Sequence, residues 1–261
     1  MKYTADEMAE DFKQKIIPTR REFADLAIGT GFSRVQTVNL HHVALLRKDI
    51  TFLNAFRSAD RLTADGWPVV VTLRLAGIET QRVTGSDLLI DLIGHDSISR
   101  RNIGLLGATK DVGDRFEEQV CNAGGRLVYR EHGNRGSWDI NEIARNISTS
   151  EVDLLLVAIS PPWGDTLAAA LNDLECCKSV LAVGGAVDMF TGEKRRSPRL
   201  ISALGAEWAF RVVQDPRHLA RRYFVECTSV LAGFLMPFWV KTAVTRVKKS
   251  FSRSRDWGQG D

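Results

Sequence analysis

Cysteine is scarce in this chain: the four residues Cys121, Cys176, Cys177 and Cys227 show no C-x-x-C spacing. Adjacent Cys176 and Cys177 cannot easily bridge each other, so a disulfide framework is not expected and the usage fits a reduced, cytoplasmic protein. The amino end, Met1 to Glu7, carries no apolar core of signal-peptide type. An unbroken apolar run of about 18 residues, the length that spans a bilayer, is also missing. The nearest run is Val230 to Val240, too short to cross. No complete G-x-G-x-x-G follows a strand. Gly29-Thr30-Gly31 has no strand before it and lacks the third glycine, which weakens any dinucleotide-binding dehydrogenase reading. Acidic residues are absent between Lys241 and Arg255, where six basic ones stand (Lys241, Arg246, Lys248, Lys249, Arg253 and Arg255). Such a tail points to an anionic surface. Aromatics are not interleaved with it as base stacking would require, so nucleic acid is not expected as a partner.

What remains is ordinary for a globular protein: 44% hydrophobic and 26% charged residues over 261 positions, which suits one large α/β domain, alone or with an appendage. Residues 5–28 read as one or two amphipathic helices interrupted by Pro18. A strand ends near Val38, and helices are expected from Asp49 to Ser58 and from Gly66 or Trp67 to Gly77. Another is expected over Leu88 to Ile93, with Ser86 as its N-cap. Alternation then becomes regular. Strands are expected at Asn102–Leu106, Arg126–Arg130, Val152–Ile159 and Ser179–Val183, with helices at 111–122 and 138–147 between them. The continuous apolar run Val152–Ile159 is what a parallel strand buried on both faces requires. The fold expected is α/β, a Rossmann-like parallel sheet flanked by helices. Residues 1–200 form this core, and 201–261 a helical C-terminal membrane-associating appendage with the basic tail.

Two stretches share one form, a short apolar run ending in small polar residues before a helical pattern: Gln36-Thr37-Val38-Asn39-Leu40-His41-His42 and Thr63-Ala64-Asp65-Gly66-Trp67. In a parallel sheet that junction lies at the carboxyl edge, where ligands bind. Two such ends would present Thr37, Asn39 and Asp65 to one crevice. The alternative is that Asn39 and Asp65 simply cap the helices that follow. In the C-terminal region, Arg217 and Arg221 are four apart and share a helical face. The apolar-aromatic stretch Val230–Val240 beside the basic tail has the composition of an interfacial anchor, or of a helix docked on the core.

These motifs, with Arg82-Val83-Thr84-Gly85-Ser86-Asp87, Leu106-Gly107-Ala108, Val183-Gly184-Gly185-Ala186-Val187-Asp188, Arg195-Arg196-Ser197-Pro198, Gly205-Ala206-Glu207-Trp208, Asp215-Pro216-Arg217 and Arg221-Arg222-Tyr223, resemble the WecG/TagA/CpsF family of glycosyltransferases. The resemblance runs in register from about residue 34 to residue 223. It implies an inverting enzyme, hexosyl- or N-acetylhexosaminyl-transferring, working at the inner face of the cell membrane. The sugar would pass from a UDP-sugar to a polyprenyl-diphosphate-linked saccharide, for cell-wall polymer, surface antigen or exopolysaccharide. By resemblance Asp65 is the general base, with Thr37 and Asn39 beside it. Arg82, Gly107, Gly184, Gly185 and Asp188 match the donor region, Asp188 as a ribose contact. Arg211, Arg217 and Arg221 hold the acceptor's diphosphate, while His218 stands where many members have another arginine. No Asp-x-Asp metal motif is present, and the nearest, Glu151-Val152-Asp153, falls at the wrong end of its strand. No metal or other cofactor is therefore expected, and backbone N–H groups and arginines would stabilise the leaving group. The partners implied are the UDP-sugar, the lipid-linked acceptor and the membrane surface, with a homo-oligomer left open.

One departure matters. Where the family reads Gly-x-Gly-x-Pro-Lys-Gln-Glu, this chain has Ala158-Ile159-Ser160-Pro161-Pro162-Trp163-Gly164-Asp165. Trp163 then stands either as a platform for the donor sugar or as packing. Two further readings stay open: a catalytically weakened paralogue within a polysaccharide assembly complex, and a Rossmann nucleotide-binding dehydrogenase.

Overall fold

A computed structural model describes residues 3–28, 33–94, 98–99, 101–132, 136, 138–194, 198 and 207–256. The expected Gly29-Thr30-Gly31 segment, Arg195-Arg196-Ser197 and Gly205-Ala206 lie outside the described residues. Six parallel strands form one sheet in the order β2-β1-β6-β5-β3-β4. They are β1 (Arg34–Val38), β2 (Arg61–Ala64), β3 (Asn102–Gly107), β4 (Arg126–Glu131), β5 (Leu154–Ala158) and β6 (Ser179–Ala182). The α/β, Rossmann-like expectation holds.

Strand alternation divides the core between the two faces. On one face, Val35, Ile103, Leu105, Leu154, Leu156 and Leu181 pack with α2 (Arg20–Ile28), α6 (Gly85–Ile93), α7 (Lys110–Asn122) and α10 (Ala186–Phe190). On the other, Leu155, Val157, Val180 and Ala182 meet α8 (Ile140–Thr149) and α9 (Trp163–Asp173). Val38, Leu62 and Ala64 there join α1 (Ala5–Lys13), α3 (Leu40–Leu46), α4 (Ile50–Arg57) and α5 (Trp67–Leu75). Buried on both faces, β5 is apolar throughout. At the edge, β4 keeps Arg126, Arg130 and Glu131, which discourage pairing with another chain.

Helix starts follow local chemistry. Thr4 and Glu7 form a capping box on α1, and Asp49 caps α4 through the N–H groups of Thr51 and Phe52. The cap of α6 is Thr84 and not Ser86. Thr84 and Asp87 satisfy each other's backbone N–H, which places the boundary two residues earlier than the apolar pattern suggests.

After α11 (Glu207–Gln214), the C-terminal region forms one long helix, α12. It is assembled from abutting segments Pro216–Arg221, Arg222–Cys227, Thr228–Val230, Leu231–Leu235 and Met236–Asp256, the second and fourth with wider π-type hydrogen bonding. Backbone angles at the junctions remain right-handed helical. The second widened segment adjoins Pro237, which lacks an N–H and whose ring crowds the carbonyl of Gly233. One face of α12 packs on α3 and α5, burying Val230 and Leu235 beside Leu231, Phe234 and Trp239. Its other face leaves Phe224, Val225, Met236, Val240 and Val244 exposed. Leu219–Arg246 is long and apolar enough, by length and composition, to cross a membrane. The count of unbroken apolar residues missed this, because Glu226, Thr228 and Ser229 stop the run before Val230 without breaking the helix.

Candidate active site

All six strands are parallel, so all their carboxyl ends meet on one edge. Along it stand, in order, Asp65 after β2, Asn39 after β1, Gly184-Gly185 after β6, Ile159–Trp163 after β5, and Gly107 at the end of β3. Register brings the first set together. Thr37 pairs with Thr63 and Val38 with Ala64, and the N–H of Asp65 continues the ladder to the carbonyl of Val38 at 2.8 Å. Thr37 and Thr63 lie on the α6 face, opposite Val38 and Ala64.

The segment before α6 closes this corner. Thr63 Oγ1 donates to the carbonyl of Val83 at 3.1 Å, and the N–H of Val83 donates to the carbonyl of Ala64 at 2.9 Å. Arg82 is therefore carried alongside Asp65. Gly85 continues to β6, where a Cβ on it would lie 3.3 Å from the carbonyl oxygen of Val183. Thus Thr37, Asn39, Asp65, Arg82 and the Gly184-Gly185 turn belong to one neighbourhood. Strands sit about 4.8 Å apart, so β2 and β6 are roughly 10 Å apart and β2 and β3 roughly 19 Å. Gly107 cannot share a reacting centre with Asp65.

The capping alternative resolves differently for the two candidates. Asn39 is a cap, its Oδ1 accepting from the N–H of His41 at 3.0 Å and of His42 at 3.3 Å. Asp65 is not. The N-cap of α5 is Gly66, with φ of 118° and no side-chain cap. A left-handed corner of this kind favours glycine, and it leaves Asp65, half-buried, at the carboxyl edge.

The remaining donor-side residues divide. Gly107 has φ of 97°, and a Cβ there would stand 2.6 Å from Ile159 Cγ1 and 2.8 Å from the carbonyl of Ala158, so close packing alone demands glycine. Gly184, with φ of 53°, is not crowded: its would-be Cβ would make ordinary contact, 3.8 Å from the carbonyl oxygen of Ile159. Asp188 is held by Lys194 at 2.8 Å, an ion pair that a ribose contact would have to share. Trp163 opens α9 with 60% of its surface exposed, which does not fit a packing role. Gly164 is fixed by contact: a Cβ would lie 2.1 Å from the carbonyl oxygen of Ile159. The position aligned with the family's glutamine holds no side chain here, and the exposed aromatic stands next to it.

On the acceptor side, α12 reaches α3 through His41 Nε2 and Glu226 Oε2, 3.5 Å apart. Arg221 is exposed and five residues before Glu226, roughly 7–8 Å along the axis. Arg217, also exposed, is roughly a further turn away. The side chain of Arg211 lies outside the described residues.

A buried polar cluster beneath the edge carries no role in the sequence reading. His42 Nδ1 accepts the N–H of Asn39 at 3.1 Å, so its ring proton sits on Nε2, which faces Asp165 Oδ2 at 3.6 Å. Both residues are buried. The same Asp165 carboxylate, with Asp173, supports the charge of Arg34, a fully buried guanidinium pushed down to about 10 by desolvation. Arg34 also donates to the Gln36 side chain at 3.1 Å, to Ser58 Oγ at 3.0 Å and to the carbonyl of Ala55. His42 thus ties the Asn39 turn to the Trp163 turn. The signal available in sequence was polar residues, Arg34 and Gln36, inside an apolar strand.

Comparison with known proteins accords with this geometry. The family profile of the glycosyl transferase WecG/TagA/CpsF family matches residues 18–243. The chain is 25% identical over 197 residues to the N-acetylglucosaminyldiphosphoundecaprenol N-acetyl-beta-D-mannosaminyltransferase of Bacillus subtilis (strain 168), covering 75% of this chain and 76% of that one. It is 24% identical over 172 residues to the protein of the same name from Staphylococcus aureus (strain MRSA252), covering 65% and 67%. With most of its length matched, from α2 through the middle of α12, the chain belongs to the WecG/TagA/CpsF family of glycosyl transferases.

Proposed function

We propose that this protein is an inverting transferase that moves a sugar from a UDP-sugar to a polyprenyl-diphosphate-linked saccharide at the inner face of the cell membrane. A surface polymer such as an exopolysaccharide is the product it would serve. The observation that carries the reading is the corner of β1 and β2, where Asp65 stands half-buried at the carboxyl edge, one residue before the N-cap Gly66, between Asn39 and Arg82. In direct displacement, Asp65 takes the proton of the acceptor hydroxyl as its oxygen bonds to the anomeric carbon. The bond from that carbon to the diphosphate breaks on the opposite side. An ordinary carboxylate is already ionised at neutral pH, so the base needs no special tuning. Arg82 and the backbone N–H groups of the Gly184-Gly185 turn offset the charge of the departing UDP, with no metal or other cofactor required. Trp163 offers its face to the donor sugar.

The acceptor side rests on α12. Its exposed residues Phe224, Val225, Met236 and Val240 suit the interfacial layer of a bilayer. Lys241, Arg246 and the tail beyond add attraction of about 1 kcal/mol per cation near an acidic surface. Arg217 and Arg221 then stand at phosphate height, where guanidinium groups bind diphosphate well. The relatives' names specify a diphosphoundecaprenol acceptor, which matches this chemistry.

Asp65→Asn tests the reading. It is expected to keep the fold and UDP binding while turnover on a lipid-linked acceptor falls by about two to four orders of magnitude. Near wild-type turnover in that variant removes Asp65 from the mechanism. No transfer by the unmodified protein from any UDP-sugar, with UDP still bound, favours the catalytically weakened paralogue instead.

A further inference from the structure

The two helices that leave the candidate catalytic corner, α3 after Asn39 and α5 after Asp65-Gly66, are both gripped by α12. Glu226 meets His41 in the first turn of α3, and meets Lys48 beyond its last turn at 3.7 Å. The guanidinium of Arg47 lies 4.6 Å from the Phe234 ring centroid. On α5, the Trp67 and Trp239 rings are 5.7 Å apart. Trp239 Nε1–H donates to Thr72 Oγ1 at 2.7 Å, and that hydroxyl donates to the carbonyl of Pro68 at 2.7 Å. At the far end of α5, Arg246 donates to the carbonyls of Arg74 and Leu75 at 3.2 and 2.9 Å.

Local structure explains why this grip matters more for α5 than for α3. The start of α3 has its own side-chain cap in Asn39. The start of α5 has none, because its N-cap is Gly66. Most helices fix their first turn with an N-cap side chain that satisfies an N–H group. Here Trp67 and Pro68, the first two residues of α5, are held instead by a ring contact and a two-bond hydrogen-bonded chain, and both lead to Trp239.

We propose that Trp239, acting with Thr72, is a positioning residue for Asp65: through Trp67 and Pro68 it sets the first turn of α5 and so the Asp65-Gly66 corner. This rests on reading Asp65 as the base. The helix that meets the lipid surface is then also the strut that aims the base, so surface docking and chemistry share one element.

The test uses the full chain and a water-soluble short-chain acceptor, which removes any effect on membrane binding. Trp239→Phe keeps a ring and deletes the N–H donor. Thr72→Val keeps the shape and breaks the chain to Pro68. Each is expected to lower kcat roughly ten- to hundredfold, as a displacement of about 1 Å in a reacting group does. KM for donor and acceptor should stay within about twofold, with the chain still folded cooperatively. In an Asp65→Asn background, Trp239→Phe should cause no further loss, because a residue that acts only through the base has nothing left to position. Wild-type kcat in both single variants overturns the proposal, as do losses that multiply in the double variant. If Asp65→Asn alone keeps wild-type turnover, the base assignment itself has failed, and that variant reveals it without reference to Trp239.

Discussion

Replacing Gly164 by alanine is the sharpest test of how the Trp163 turn is built. The new Cβ would stand 2.1 Å from the carbonyl oxygen of Ile159 and 2.8 Å from its carbonyl carbon, whereas ordinary contact begins at 3.4 Å. Something must move by about 1 Å, and close-packed interiors resist that. Ile159 has little room to retreat: it is buried, and its Cγ1 already fills the space where a Cβ on Gly107 would go. Overpacking of this kind costs about 3 kcal/mol, the upper end of its usual range. Alanine's better helix propensity returns about 1 kcal/mol. The net loss is about 2 kcal/mol, which for a chain of this size lowers the melting temperature by roughly 4–8 °C. Gly77→Ala is the control. It lies at φ of 88° with nothing within 4 Å, so it carries only the left-handed backbone cost of about 1 kcal/mol. Thermal melts followed by circular dichroism compare the two. Gly164→Gln, which writes the family's residue back, should fall at least as far as Gly164→Ala and gain no transfer activity. A Gly164→Ala protein that melts at or above Gly77→Ala refutes the reasoning, and would mean that the start of α9 relaxes freely.

Three further outcomes follow from the site. Trp163→Ala should weaken UDP-sugar binding much more than UDP binding, measured by calorimetry; equal losses for both ligands would count against a sugar platform. Arg221→Ala should leave liposome binding unchanged and raise the apparent KM for a lipid-linked acceptor, whereas an unchanged KM would separate this arginine from the diphosphate. Asp165→Asn keeps the shape of the buried cluster but removes the charge beside Arg34. A loss of about 1 kcal/mol is expected, since Asp173 still supports the buried Arg34 cation once the Asp165 charge is gone, and denaturant unfolding with no change in midpoint would contradict the cluster's role. Deleting α12 is a poorer experiment than point changes. Val230 and Leu235 belong to the core beneath α3 and α5, and each such side chain contributes about 2 kcal/mol.

Much of the architecture is legible in the residues because its causes are local. Alternating strand and helix patterns, the apolar β5 run, and the glycines at strand ends each follow from a period or a backbone preference read within a few positions. The corner of Thr37, Asn39 and Asp65 follows as well, since small polar residues after an apolar run mark the carboxyl edge of a parallel sheet. The cap of α6 was misread because Thr84 and Ser86 are equally good capping residues in isolation; only the partnership with Asp87 selects the first.

What the residues alone left undecided depends on the backbone angles of particular turns and on contacts far apart in the chain. Whether Asp65 is a cap turned on the φ of Gly66. Whether Gly164 is a lost functional position or a steric necessity turned on the backbone path from Ile159, five residues earlier, which brings that residue's carbonyl against it. His42 and Asp165 are more than a hundred residues apart, and no periodicity relates them. For Val230–Val240, composition suited an anchor and a core helix equally. Tertiary structure decided that α12 is a core helix along one face and leaves the other exposed, because one helix surface can bury only the stripe that its neighbours, α3 and α5, are there to cover.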